Sequence, residues 1–166
     1  MTILIKNKDT LICDDFEFKC SIGKMGKTFF KKEGDLKTPK GSYSLGSLFY
    51  RSDRKKKPKT RLNCIKIKKT MGWCDDINSK KKYNNLININ INIKIKHEKL
   101  FKKEASYDYF IVINYNKKKT IVGKGSAIFI HLTKNYKKTE GCIALKENDF
   151  LILAKLINKK TKIKIF

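Results

Sequence analysis

The chain has 166 residues and a mass of 19.4 kDa, a length that suits one domain and leaves little for a second. Its 40 Lys and Arg stand against 15 Asp and Glu, giving a formal charge of +25, yet 40% of positions are hydrophobic, which excludes disorder by composition. The longest purely apolar runs, Tyr109 to Ile113 and Phe150 to Ala154, fall far short of the roughly 20 residues that a helical membrane span needs.

In chain order, Thr2 to Asn7, Thr10 to Cys13 and Phe16 to Ile22 read as short strands separated by polar breaks. Gly23, Gly26 and Gly34 mark turns, and residues 31 to 47 form a loop punctuated by Pro39 and Gly41 that leads into a strand near Tyr43 to Phe49. Arg51 to Arg61 is a charged loop with Pro58. Ile87, Ile89, Ile91, Ile93 and Ile95 alternate with Asn and Lys, a period of two that predicts a strand, although an extended low-complexity arm is the alternative. Tyr109 to Tyr115 and Ala127 to Leu132 are buried-strand candidates. The single helix is expected over Glu147 to Asn158, where Phe150, Leu153, Ala154 and Ile157 share one face. Ile163 to Phe166 closes with a last strand. Many short strands, one late helix and no βαβ alternation predict a mainly β sandwich or barrel, with residues 1 to 166 as one domain.

The lysines are spread along the chain instead of forming one stripe, so nucleic acid is not the expected partner. The three arginines differ: Arg51, Arg54 and Arg61 fall within eleven residues of a chain that otherwise uses Lys. A guanidinium grips a carboxylate with two parallel bonds where an ammonium cannot, so these residues are candidates for binding a substrate carboxylate. Equally, they are structural partners of Asp53, Asp75 or Asp76. Five cysteines (13, 20, 64, 74 and 142) show no CxxC pair and no His at zinc-finger spacing, so no metal or other cofactor is expected.

His131 ends an apolar strand, and Cys142 follows eleven residues later within Thr139-Glu140-Gly141-Cys142-Ile143, ahead of the helix. A thiol in a Gly-Cys turn near a helix N-terminus gains from the macrodipole, and a nearby imidazole takes its proton. Gly141 permits a sharp turn that exposes the amides of 141 and 142 to an oxyanion. Taken alone, one His and one Cys more often mean a core histidine and a buried thiol. Yet the run from His131 to Cys142 with Thr-x-Gly-Cys-Ile resembles the signature of the L,D-transpeptidase (YkuD-like) catalytic domain. Further segments are similar to the family's compact stand-alone members: Gly34-Asp-Leu-Lys-Thr-Pro-Lys-Gly-Ser-Tyr43, Arg51-Ser-Asp-Arg, Gly72-Trp-Cys-Asp-Asp76, His97-Glu-Lys-Leu, Asp108-Tyr and Gly123-Lys-Gly-Ser-Ala-Ile-Phe-Ile-His131. The sequence departs from the pattern at Glu140, where the family has a second His, and after Cys142, where Ile-Ala-Leu replaces a segment with Arg or Asn in many members.

The resemblance implies an open barrel or sandwich of mixed sheets with one helix after the nucleophile. It implies Cys142 attack on the L,D bond of a peptidoglycan stem peptide, a thioester, release of D-alanine, and transfer to an amine or to water. His131 would be the base and then the acid, with the Gly141 and Cys142 amides as oxyanion donors. Arg51, Arg54 or Arg61 would anchor a substrate carboxylate, and Tyr43 and Trp73 would be apolar walls, although Trp73, the sole Trp, reads first as a core aromatic. Among the substrate-binding residues, Thr139 would bond the thiolate or support the loop, and Glu140 would orient a neighbouring amide or amine. Stem peptides or muropeptides are the implied partners, and covalent inhibition by a carbapenem is expected. The alternatives are an L,D-carboxypeptidase that only hydrolyses and a degenerate cationic binding module. The N-terminus carries no Sec-type signal, which reads as cytoplasmic, whereas the family's substrate implies the periplasm or envelope.

Overall fold

The computed structural model describes residues 1–7, 9–92 and 94–166. In chain order come β1 (Thr2–Ile5), β2 (Thr10–Cys13), β3 (Phe16–Lys19), β4 (Lys27–Thr28), β5 (Thr38–Pro39), β6 (Gly41–Tyr50), β7 (Cys64–Lys66), β8 (Met71–Cys74), β9 (Leu86–Asn88) and β10 (His97–Lys99). A 3-10 turn (Ala105–Tyr107), β11 (Tyr109–Ile113), β12 (Phe129–Leu132), β13 (Ile143–Leu145), α1 (Glu147–Leu156) and β14 (Lys162–Ile165) follow. The mainly β expectation with one late helix holds.

Nine strands form one mixed sheet in the order β13-β12-β11-β6-β14-β1-β2-β3, with β7 alongside β6. Its two ends nearly meet. Beyond β3, Ser21 exchanges backbone hydrogen bonds of 2.9 Å with Ala144 in β13, which turns the sheet into an almost closed barrel. The long strand β6 makes this curvature possible by serving both halves: its first residues pair with β14 and its last with β11 and β7.

Period-two alternation sorts the side chains into two cores. Tyr109, Ile111 and Ile113 of β11 join Leu48, Ile130, Ile143 and Ile163 on one face, where Phe150, Leu153, Ala154 and Ile157 of the helix segment pack. Phe110 and Val112 point the other way, to Phe49, Phe129, Tyr107 and Trp73. A three-stranded sheet, β10-β8-β9, covers this second face, with the Trp73 ring edge-on to Phe129 at 5.1 Å. That is why all five residues of β11 are buried and its sequence is a continuous apolar run.

The isoleucine repeat behaves differently from a long strand. Only Leu86–Asn88 pairs with β8. Beyond it Asn88 Oδ1 accepts the Asn90 N–H at 3.0 Å, and the Asn88 carbonyl accepts both the backbone and the side-chain N–H of Asn92. Asparagine side chains that bond nearby backbone favour turns over ladders, and Ile91 is left 79% exposed. Ile93 of that pattern lies outside the described residues.

Candidate active site

Parallel pairing sets Ile130 opposite Ile143 and His131 opposite Ala144. Cys142 precedes Ile143, so alternation puts it on the same face as Phe129 and His131, diagonally across from the imidazole. Cys142 and His131 line one cavity of about 840 Å³, together with Gly141, Thr139, Glu140, Glu98, Lys102, Tyr107, Lys31, Glu33 and Asp75 among others. The two central residues of the sequence reading therefore come together.

The turn before Cys142 is held from both sides. The Thr139 N–H donates to the Ile22 carbonyl at 3.0 Å and Lys24 N–H to the Thr139 carbonyl at 2.8 Å. Thr139 Oγ1 donates to the Cys142 carbonyl at 2.6 Å and accepts the Gly141 N–H at 3.2 Å, so Thr139 supports the loop and does not touch the thiol. Gly141 has φ +143°, and a Cβ there would lie 2.9 Å from the Lys37 carbonyl oxygen, so no other residue fits without displacement. With the Gly141 N–H occupied, the Cys142 N–H is the amide free for an oxyanion, since among the described residues no acceptor takes it.

The Cys142 sulfur is buried in the second core. Its S–H donates to the Ala127 carbonyl at 3.3 Å, and it accepts the Phe129 N–H at 3.3 Å. Burial pushes the thiol from its ordinary 9.0 up to about 12, the Glu98 charge adds to this, and the Phe129 N–H, Lys102 and Lys31 oppose it. The resting group is a neutral thiol. The expected macrodipole assistance is absent: β13 intervenes before α1 begins at Glu147, and a helix-end field fades within a turn. The thiolate-favouring donor is the backbone of β12 instead.

His131 Nδ1 lies 2.9 Å from the Leu132 carbonyl, which can only accept, so Nδ1 carries the proton and the neutral ring presents its lone pair at Nε2. Burial lowers its pKa below the ordinary 6.5, against the Leu132 bond and the Glu98 charge, which raise it. Tyr107 flanks the imidazole at 5.4 Å between ring centroids and donates to Glu98 at 2.6 Å. Glu98 also takes the Lys102 ammonium at 2.7 Å. Asp75 contributes a buried Oδ1 that has no hydrogen-bond partner among the described residues; burial raises its pKa, the Glu33 and Glu98 charges add to this, and Lys96 opposes it.

The sequence reading missed Glu98, Tyr107, Lys102 and Asp75. The first is a carboxylate among lysines in a chain with few acids, the same kind of signal as the three arginines, but nothing in its spacing points at Cys142. Glu140 is exposed at the cavity rim, and the carboxylate that acts on the thiol is Glu98.

The arginines lie elsewhere, and here the expectation is corrected. Arg51, 2% exposed, grips Asp53 through two bonds of 2.8 and 2.7 Å, donates to the Lys102 carbonyl, and stacks on Phe101 at 3.4 Å. Arg54 binds Asp108 at 3.1 Å and the Lys103 carbonyl at 2.9 Å. Arg61 donates to the Leu156 carbonyl at the end of α1, at 2.8 Å. None of the three lines the cavity. Tyr43 and Trp73 are also absent from its walls: Tyr43 packs edge-on to Tyr115, and the Trp73 indole N–H is spent on Asn84 at 3.0 Å. His97 is structural, its Nδ1 on the Ile95 carbonyl.

Comparison with solved structures finds the helical cell shape determining protein Pgp2 from Campylobacter jejuni (TM-score 0.54, 23% identity) and a lysine-to-alanine variant of the same protein (TM-score 0.55, 23% identity). Bd1075 from Bdellovibrio bacteriovorus is also similar (TM-score 0.52, 18% identity). Each alignment covers 99% of this chain but only 46–47% of the solved one, so the chain spans about half the length of these proteins. No curated protein matches the chain. The model of the YkuD family, the L,D-transpeptidase catalytic domain, matches residues 2–165. Matched over nearly its whole length, the chain belongs to the YkuD L,D-transpeptidase catalytic domain family.

Proposed function

We propose that the chain is a cysteine-dependent acyltransferase acting on the L,D bond of peptidoglycan stem peptides, with residues 1 to 166 working as one catalytic unit. The observation that carries this reading is one cavity shared by a thiol, an imidazole with a free Nε2 lone pair and an unoccupied Cys142 N–H. On attack the Cys142 proton passes to His131 Nε2, the sulfur bonds the carbonyl carbon, and the carbonyl oxygen takes the electron pair under the Cys142 N–H. The C–N bond then breaks, His131 protonates the departing D-alanine amine, and a thioester remains. An incoming amine or water gives its proton to His131 and displaces the sulfur. Because thiol and imidazole are both neutral at rest, His131 acts as a general base during attack and not as half of a standing ion pair.

The cavity is lined by both signs of charge, the paired Lys102 and Glu98 together with Lys31, Glu33 and Asp75, a mixed wall that suits a stem peptide carrying both charges. The test is D-alanine release from tetrapeptide muropeptides together with intact-mass measurement after carbapenem treatment. Wild-type protein should release D-alanine and gain one drug mass at Cys142. Cys142→Ala should remain folded and do neither, and full activity in that variant would overturn the reading.

A further inference from the structure

The loop that leads into the cavity wall carries an apolar edge that acyl transfer does not use. Phe29 and Phe30 are 72% and 85% exposed, and Met25 is 59% exposed. Scattered single apolar residues are ordinary on a protein surface, but two adjacent exposed phenylalanines in a loop with an exposed methionine four residues before them are not. Their base is rigid. Strand β4 pairs with β5, Met25 N–H donates to the Leu36 carbonyl at 3.0 Å, Lys40 N–H to the Thr28 carbonyl at 2.8 Å, and Phe30 N–H to Thr28 Oγ1 at 3.0 Å.

The rim of this edge is cationic. Lys24 and Lys32 are exposed, and the Lys40 ammonium sits 5.1 Å from the Phe29 ring centre. Of the two carboxylates that follow in the loop, Asp35 is paired with the Lys31 ammonium at 2.5 Å, and Glu33 faces the cavity, where it accepts from Ser126 Oγ at 2.7 Å. A surface that is anionic at its face and apolar beneath uses both the rings and the lysines.

We propose that Met25, Phe29 and Phe30, rimmed by Lys24, Lys32 and Lys40, form a peripheral docking surface for an anionic lipid bilayer. The rings enter the headgroup and acyl boundary while the ammonium groups stay with the lipid phosphates. The net charge of +25 draws the chain to such a surface, and the apolar edge selects which side faces it. The next residues of the same loop, Lys31, Glu33, Gly34 and Leu36, line the Cys142 cavity, so docking fixes that cavity close to the lipid.

Sedimentation with large unilamellar vesicles tests this, comparing phosphatidylglycerol mixed with phosphatidylcholine against phosphatidylcholine alone. Wild-type protein should partition to the anionic vesicles. The Phe29→Ser/Phe30→Ser variant should lose at least about tenfold in partitioning while keeping its circular dichroism and its Cys142 alkylation profile. Lys24→Gln and Lys32→Gln should each lose about fivefold. In Phe30→Trp, emission should shift to the blue on anionic vesicles and be quenched by brominated acyl chains. A Ser variant that sediments like wild type, or Trp emission that does not move, would mean adsorption by lysines alone and overturn the proposal. Phe-dependent sedimentation with purified wall polymer, without vesicle binding, would overturn it too.

Discussion

The acidity of Cys142 makes the reactivity of its thiol a sharp measure of the site. Raising a thiol from 9.0 to about 12 lowers the thiolate fraction at neutral pH by about a thousandfold, since each pKa unit is tenfold. The more basic thiolate is the better nucleophile, with a Brønsted coefficient of about 0.4–0.5, and recovers about 15- to 30-fold. Carbamidomethylation of Cys142 in the folded protein at pH 7 should therefore run about 30- to 70-fold slower than in the chain unfolded by guanidinium. Its rate should climb about tenfold per pH unit from 7 to 10 with no plateau. Peptide-resolved mass spectrometry separates Cys142 from the other four thiols. A plateau below pH 9, or labelling faster than in the unfolded chain, would show an ionised resting sulfur and refute the general-base account. The linked stability follows in sign: the raised pKa contributes stability that is complete below pH 9 and is lost as pH rises through about 12.

Three further outcomes are expected. The acid limb of kcat/KM for D-alanine release should have its midpoint below 6.5, because burial favours neutral His131 and only its neutral form accepts a proton; a midpoint above 6.5 would contradict that environment. The same lowered pKa contributes stability that is present above pH 6.5 and is lost as pH falls through the folded value. Gly141→Ala should cost about 1–3 kcal/mol in denaturant unfolding and slow catalysis, since φ is +143° and the Lys37 carbonyl oxygen is 2.9 Å from the new Cβ. Arg51→Lys should lower stability by about 1–2 kcal/mol through the lost stack on Phe101 and the bond to the Lys102 carbonyl, while KM for a muropeptide stays unchanged; a rise in KM would return Arg51 to the substrate.

Where one periodicity decided the outcome, the sequence was legible. Phe150, Leu153 and Ala154 share the buried helical face they were expected to share, and Ile157 packs in the same core from the extended residue just past α1, which ends at Leu156 where Asn158 N–H bonds Thr161 Oγ1. The apolar run of β11 likewise marked a strand covered on both faces. Legibility failed where side chains compete with the backbone: the asparagines after Ile87 carry the same alternation as a strand but use their amides to make turns. It failed again for the charges. A guanidinium suits a buried structural carboxylate as well as a substrate, and residue type alone cannot tell Asp53 from a ligand. Glu98 and Asp75 reach the cavity from the small sheet and the segment beside it, a placement set by tertiary packing and invisible to local pattern.

The bonds between Ser21 and Ala144 seal the barrel next to the nucleophile's strand, and Ser21 also ties Lys137, 116 residues away in the chain. Ala144 is two residues from Cys142, so the bonds that close the barrel also fix the backbone that carries the sulfur. Loosening that seam would carry the thiol away from the Phe129 N–H and the Ala127 carbonyl that hold it, so the barrel and its reactive atom are kept in place by the same few bonds.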